Sequence, residues 1–463
     1  MKKFRNILLV TTALLIGGCE SFVTGIDETD ITRIQDADLR LVVTAAEVNY
    51  MGFLEGNAAR IAGMWSGYFF GFDRQYAGYH TYSMNAGNFN AEWINIYVYT
   101  LKSLRVSQQK AREQVNLSTL GICQVMEASI MGTAIGVWGD VPYAEAINIE
   151  QFPNPAYEPQ TVILDKLLLL LDEAIVNLNS GPPSERLGDF LFPLTSNAPW
   201  IAAANSTKAR LLLYKKDYAN ALLAANAGIQ LPVNDLLAKH GTSNFVDRNM
   251  YNDFLARTRI GMMTAANTFL GGLLNATAPG NRNHSKTNEG TRLARYYSGT
   301  TLATYVPNTG TTGYFSISAT FPLHTAFETK LIAAECLIRT GDFPNALIKL
   351  NEHRANLRTT YPTATFTNFV ATDFDPAGIE NLTGALTAND ALLREILEEK
   401  YVCLYGQIEA FNEIRRTGNA LGLPPNAGTE MPQRFLYAQF EIDANLSTPS
   451  PIPGLFTKTT LFP

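Results

Sequence analysis

The strongest constraint on the fold is a helix–turn–helix pattern that occurs twice, 125 positions apart. Ala209-x-x-Leu212 is followed by Asp217-Tyr218-x-Asn220-Ala221-Leu222, and Ala334-x-x-Leu337 by Asp342-Phe343-x-Asn345-Ala346-Leu347. In each copy a helix with small and large residues on one face meets a short turn, at Lys216-Asp217 or Gly341-Asp342. A second helix then opens with an aromatic and continues Ala-Leu. Small alanines let the two helices approach closely, and the aromatic fills the angle between them.

This is the packing logic of tetratricopeptide-type hairpins. The intervening chain is also largely helical. Ile94, Val98, Leu101 and Leu104 mark one apolar stripe, and Ile122, Val125, Met126, Ile130 and Ile135 a second, ending near Gly136–Gly139. Ile163, Leu167, Leu170, Leu171, Ala174 and Leu178 mark a third, kept amphipathic by Asp165, Lys166, Asp172 and Glu173. A long final helix is predicted from about Ala391 to Arg416. The fold class predicted is mainly α: one domain over 37–463, with tetratricopeptide-like hairpins as scaffold at about 37–239, 321–358 and 391–418. Loop-rich insertions at about 240–320 and 359–390, rich in Gly, Asn and Thr, would supply few short strands and carry function. Residues 448–463 hold four prolines and should run extended over the surface.

The first 18 residues have the anatomy of a secretory signal peptide: Lys2, Lys3 and Arg5, then an apolar run from Ile7 to Ile16, then Gly17-Gly18. Leu15-Ile16-Gly17-Gly18-Cys19 resembles the bacterial lipobox, in which the Cys19 thiol takes a diacylglycerol and small neighbours admit the signal peptidase. Residues 19–36 then read as a lipidated tether, and two or three acyl chains would hold the protein on a membrane. Its acids Glu20, Asp27, Glu28 and Asp30 resemble the surface-export signals of Bacteroidota lipoproteins. No further apolar stretch is read as a membrane span. Cys123, Cys336 and Cys403 are odd in number, widely spaced and set in helical patterns, so buried free thiols are predicted, not a disulfide framework.

Formal charge is −6, and removal of the leader leaves 33 basic against 42 acidic residues. No basic stripe interleaved with aromatics is present, which argues against nucleic acid as a partner. Charged residues are only 17% of the chain, so Asn, Thr, Ser, Gly and 20 Tyr carry its polarity. Such a surface suits an uncharged polar ligand.

Four ordered motifs carry a family resemblance. Gly139-Asp140-Val141-Pro142-Tyr143-Ala144-Glu145-Ala146 resembles the G-D-V-P-Y-x-E-A segment of SusD/RagB proteins. Thr291-Arg292-Leu293-Ala294-Arg295-Tyr296-Tyr297 is similar to the family's D-P-R-L…Y-Y element, with Gly290-Thr291 in place of the acidic-Pro pair. Glu328, Ala333-Ala334-Glu335 and Arg339-x-Gly341-Asp342 resemble its Glu…Ala-Glu-Ala…Arg-x-Gly helix, with Cys336 replacing Ala. Ile396-x-x-Glu399-Lys400, Leu404-x-Gly406 and Phe411-x-Glu413-x-Arg415-Arg416-Thr417-Gly418 resemble its closing signature. The resemblance implies an outer-membrane lipoprotein facing the cell exterior, acting as the binding lid of a SusC-like TonB-dependent β-barrel. It implies nutrient uptake with a glycan or peptide as cargo, no cofactor and no catalysis. From the residues themselves, Glu399 with Lys400, and Glu413 with Arg415 and Arg416, are predicted to form packing salt bridges.

Candidate ligand residues come from an aromatic-rich segment. Trp65, Tyr68, Phe70, Phe72, Tyr76 and Tyr79, with Arg74 and Gln75, could stack on sugar faces and bond hydroxyls; Tyr296, Tyr297 and Tyr305 are second choices. Most rings of the 65–99 segment are expected in the core, Trp93 and Tyr97 above all. The five histidines are isolated, and no HExxH, GxSxG, GxGxxG or Walker A pattern occurs, so neither a catalytic nor a metal site is assigned. Asp373 and Asp375 near Gly378 read as an exposed acidic loop in preference to a calcium site. A surface glycoside hydrolase, whose carboxylates need no sequence motif, and a tetratricopeptide interaction scaffold are the alternatives.

Overall fold

The computed structural model describes residues 37–244 and 246–463. The leader, Cys19 and the tether expected from the sequence lie outside the described residues. Eleven helices of eight residues or more are present among those described: α1 (Leu39–Glu55), α2 (Asn57–Trp65), α3 (Lys102–Glu113), α4 (Leu117–Trp138), α5 (Gln160–Ser180), α6 (Ala198–Tyr214), α7 (Tyr218–Ala227), α8 (Ala326–Arg339), α9 (Phe343–Thr360), α10 (Ala388–Cys403) and α11 (Glu409–Arg416). Strands are few and short. Phe70–Gly71 pairs with Met263–Thr264, Val141–Pro142 with Tyr157–Glu158, Leu236–Ala238 with Phe321–His324, and Tyr297–Ser298 with Val306–Pro307, all antiparallel. The mainly helical class is as predicted.

The two hairpins are chemical copies of each other. In α6–α7, Asp217 accepts from the Asn220 backbone N–H at 3.2 Å and from its Nδ2 at 2.7 Å. In α8–α9, Asp342 accepts from Asn345 at the same two distances. Each Asp thereby satisfies an amide that a helix start leaves without a partner. The residue before it adopts a left-handed backbone in both, Lys216 at φ 60° and Gly341 at φ 87°. Ala209, Ala221, Ala224 and Ala225 of the first hairpin share an apolar cluster with Ile332, Ala333 and Cys336 of the second.

Helix α4 is the spine of the main core, buried at every residue from Ser118 to Trp138. Its 22 residues are long and apolar enough to cross a membrane, which corrects the reading that no such stretch exists. Burial on all sides within the fold makes it a core helix. Glycine lets neighbours reach its backbone: a Cβ on Gly132 would stand 2.7 Å from a Leu211 methyl, and one on Gly121 2.7 Å from Leu178.

Three local predictions change. The stripe Ile94–Leu104 slips phase because Asn95–Leu101 winds as a π-helix, which exposes Val98 and turns Ile96 and Tyr97 inward. Trp93 and Tyr97 are buried as expected. The single helix expected over 391–416 is two, α10 and α11, broken where Gly406 adopts φ 77° and a Cβ would meet the Phe315 ring at 3.1 Å. The tail has no regular element, yet it does not merely cover the surface: Leu455, Leu461 and Phe462 enter the core. Cys123, Cys336 and Cys403 are free thiols; the first two are buried as expected, while Cys403 is half-buried.

Candidate ligand-binding face

Seven of the aromatic candidates are interior. The Trp65 indole donates to the Tyr79 carbonyl at 2.9 Å and lies edge-on to Phe411 and Phe435, each 5.3 Å away. Tyr68 and Tyr401 lock two segments reciprocally, Tyr68 donating to the Tyr401 carbonyl at 2.6 Å and Tyr401 to the Ser66 carbonyl at 2.7 Å. Tyr297 donates to the Tyr68 carbonyl at 3.0 Å and stacks on Tyr305. Tyr296 donates to the Val402 carbonyl and stacks on Tyr405 at 4.3 Å. Tyr76 packs against Tyr79 and donates to the Asn57 side chain at 2.6 Å. Burial pushes the phenols of Tyr68, Tyr296 and Tyr297 above the usual range, so they act as neutral donors. Their faces are covered by protein, and they tie residues 66–80, 250–315 and 401–406 into one unit.

The other four candidates lie at the edge of this unit. The Phe70 ring is partly covered, 4.7 Å from His80. Phe72 is 73% exposed, and Arg74 and Gln75 are exposed beside it. A facing segment completes the surface. Phe70 and Gly71 pair with Thr264 and Met263, and the Phe72 amide donates to the Met262 carbonyl at 2.8 Å. Arg259–Met262 is a tight turn closed by the Met262 amide on the Arg259 carbonyl, with Gly261 at φ 81°. Its tip, Ile260, is 72% exposed. Sequence reasoning missed Ile260; the only local signal was an apolar residue before Gly in the run Arg257-Thr258-Arg259-Ile260-Gly261.

Three of the four family-like motifs, all but residues 139–146, meet in the interior through ion pairs. Arg292 binds Glu289 and Glu399, each at 2.5 Å, and Arg282 binds Glu399 at 2.6 Å and Glu395 at 2.8 Å. Glu335 receives Arg416, Arg339 and Lys400; Arg416 and Lys400 also bind Glu413. Glu328 is paired with Arg210 at 2.6 Å. The packing bridges expected of Glu399, Lys400, Glu413 and Arg416 are therefore present, although Glu399 and Lys400 do not pair with each other. Arg415 is a correction: it bonds the carbonyls of Gly136 and Gln433 and the Asn412 side chain, and no Glu413 contact is formed.

His353, Glu399 and Cys403 bring three potential metal donors within 4.8 Å of one another. Arg292 occupies the same space, bonded to Glu399 and 3.9 Å from the Cys403 sulfur, so a guanidinium already supplies the positive charge there. Asp375 is exposed as expected, whereas Asp373 is largely covered and paired with Lys286 at 2.6 Å, so only part of this acidic loop faces solvent.

Residues 30–438 match a SusD-like family profile described as starch-binding and associating with the outer membrane. The chain belongs to the SusD-like family. Solved structures agree at the level of the fold. A chitin-binding SusD homologue from Flavobacterium johnsoniae has TM-score 0.68 at 15% identity, covering 90% of this chain and 98% of its own. A SusD homologue from Bacteroides fragilis gives 0.67 at 16%, covering 92% and 99%. One from Bacteroides thetaiotaomicron gives 0.65 at 14%, covering 92% and 99%. No curated protein sequence matches the chain. As a SusD-like protein it falls in a nutrient-binding, outer-membrane-associated family.

Proposed function

We propose that this SusD-like protein captures an oligosaccharide at the surface formed by Phe70, Phe72, Arg74 and Gln75 together with Ile260. It then delivers the cargo, by movement as a lid, to a SusC-like TonB-dependent barrel. Cys19 carries the lipid that holds it on the outer membrane, facing outward. The carrying observation is a pair of exposed apolar side chains, Phe72 and Ile260, held on a short ladder above a rigid tyrosine-bonded base. Apolar groups so placed meet sugar C–H faces with little entropy lost on binding. The interior rings Trp65, Tyr68, Tyr76, Tyr79, Tyr296, Tyr297 and Tyr305 support this surface from below. Glycan takes precedence over peptide because the family is described as starch-binding and one structural relative as chitin-binding. Binding without catalysis is the activity proposed.

Two measurements test this. Purification of the tagged protein from its own outer membrane should bring a stoichiometric TonB-dependent barrel with it; recovery without any barrel removes the delivery role. In a glycan screen, Phe72→Ala should weaken binding about tenfold, the loss of one good stacking contact. Unchanged binding would place the ligand elsewhere.

A further inference from the structure

We infer that the oligosaccharide taken at this surface is anionic, a carboxylate-bearing chain, an inference that rests on residues 70–75 and 259–262 being the ligand surface. The full sequence is acidic, with formal charge −6, yet Arg74 and Arg259 stand exposed at this face with little of their charge spent on carboxylates. Arg259 is exposed and donates only to the Thr258 carbonyl at 3.1 Å; among the described residues no acid pairs with it. Arg74 approaches Asp73 at 3.8 Å, with side chains 68% and 62% exposed, and a loose pair in water holds its partner weakly. Asp253, the acid on the facing segment, is engaged by Arg257 at 2.5 Å.

Register brings these charges to the apolar tip. Arg74 stands two residues beyond Phe72, and Arg259 three residues before Met262, the residue bonded to Phe72. Both therefore flank Phe72 and Ile260 at the same end of the ladder. A neutral sugar is fully served by amides, which bond hydroxyls without importing net charge. Guanidinium is instead the group whose planar fork matches a carboxylate through two parallel hydrogen bonds. A cluster of like charges on an oppositely charged molecule also focuses its field on incoming anions. The combination of apolar ridge and flanking guanidiniums fits a sugar ring that offers one C–H face and a carboxylate at its edge. This departs from the uncharged ligand that composition suggested.

The test uses the full mature chain and calorimetric titration. The probes are oligogalacturonate, alginate and hyaluronan oligosaccharides, each beside its carboxyl-reduced neutral counterpart, with starch and chitin oligosaccharides as neutral controls. At least one acidic probe should bind about tenfold or more tightly than its reduced form, and lose that margin in high salt. Arg74→Gln and Arg259→Gln should each weaken the acidic form severalfold more than the reduced form, whereas Phe72→Ala should weaken both alike. If no acidic probe exceeds its reduced counterpart, or both arginine variants bind as the parent does, the charge inference is overturned. Phe72-dependent binding of starch or chitin alone overturns it too, while leaving the ligand surface standing. Binding that Phe72→Ala does not alter for any probe overturns the surface itself.

Discussion

Glu335 shows how a family-like motif residue acts through packing. It is fully buried and receives Arg416 at 2.8 Å, Arg339 at 2.7 Å and Lys400 at 3.3 Å. Burial alone raises its carboxyl, but Arg416, Lys400 and Arg339 more than offset this and hold it below the usual glutamate value of 4.5. Because the folded value is depressed, the stabilisation is present above about pH 4.5 and is lost as pH falls through the folded value. Glu335→Gln should cost about 3–5 kcal/mol at neutral pH, since it leaves buried cations short of an anion. Urea unfolding at about pH 7 and about pH 4 checks both points: the parent should lose stability on acidification more steeply than the variant. Equal slopes would mean that Glu335 does not carry the acid response. The sequence placed Glu335 and Arg416 on helices; their meeting depends on the fold bringing residues of α8 and α11 within ion-pair distance, which neither helix states alone.

At the scale of the element, the two hairpin turns owe their identity to local chemistry. Asp217 and Asp342 cap α7 and α9 with the same pair of bonds, reaching three residues along the chain. Each Asp→Ala change should lower stability by about 1 kcal/mol. The two share no partner, so the double variant should lose about 2 kcal/mol. Chemical denaturation of all three variants decides it, and a clearly larger loss at one turn would end the claim of equivalence. The breaks that escaped the sequence have a different origin. The π-helical stretch at Asn95–Leu101 keeps an apolar composition while shifting its phase, and the interruption at Gly406 answers to Phe315, ninety-one residues earlier in the chain. Periodicity carries no record of either.

The molecule as a whole is closed by its far end. Phe462 is 1% exposed, edge-on to Tyr214 at 5.2 Å and beneath the Arg415 guanidinium at 4.9 Å, while the Leu461 amide donates to Gln160 at 3.1 Å. Phe462→Ala should cost about 3–5 kcal/mol, as removal of a buried ring does. Phe456→Ala, at a ring 44% exposed, should cost less than about 1 kcal/mol. Thermal unfolding of the two variants separates them; equal losses would show that the tail only rests on the surface. The same distinction governs the candidate site. Helical class, paired hairpins, their caps and the free thiols were determined by the sequence itself, because helix bonds, caps and amphipathic faces are set within a few residues. Which aromatic rings face solvent was decided only by the tertiary structure. Tyr68 is buried by Tyr401, 333 residues away, and Phe72 is exposed although it lies four residues from Tyr68 in the same aromatic run. In an aperiodic loop no neighbour fixes the side a ring takes, so contacts between distant segments do.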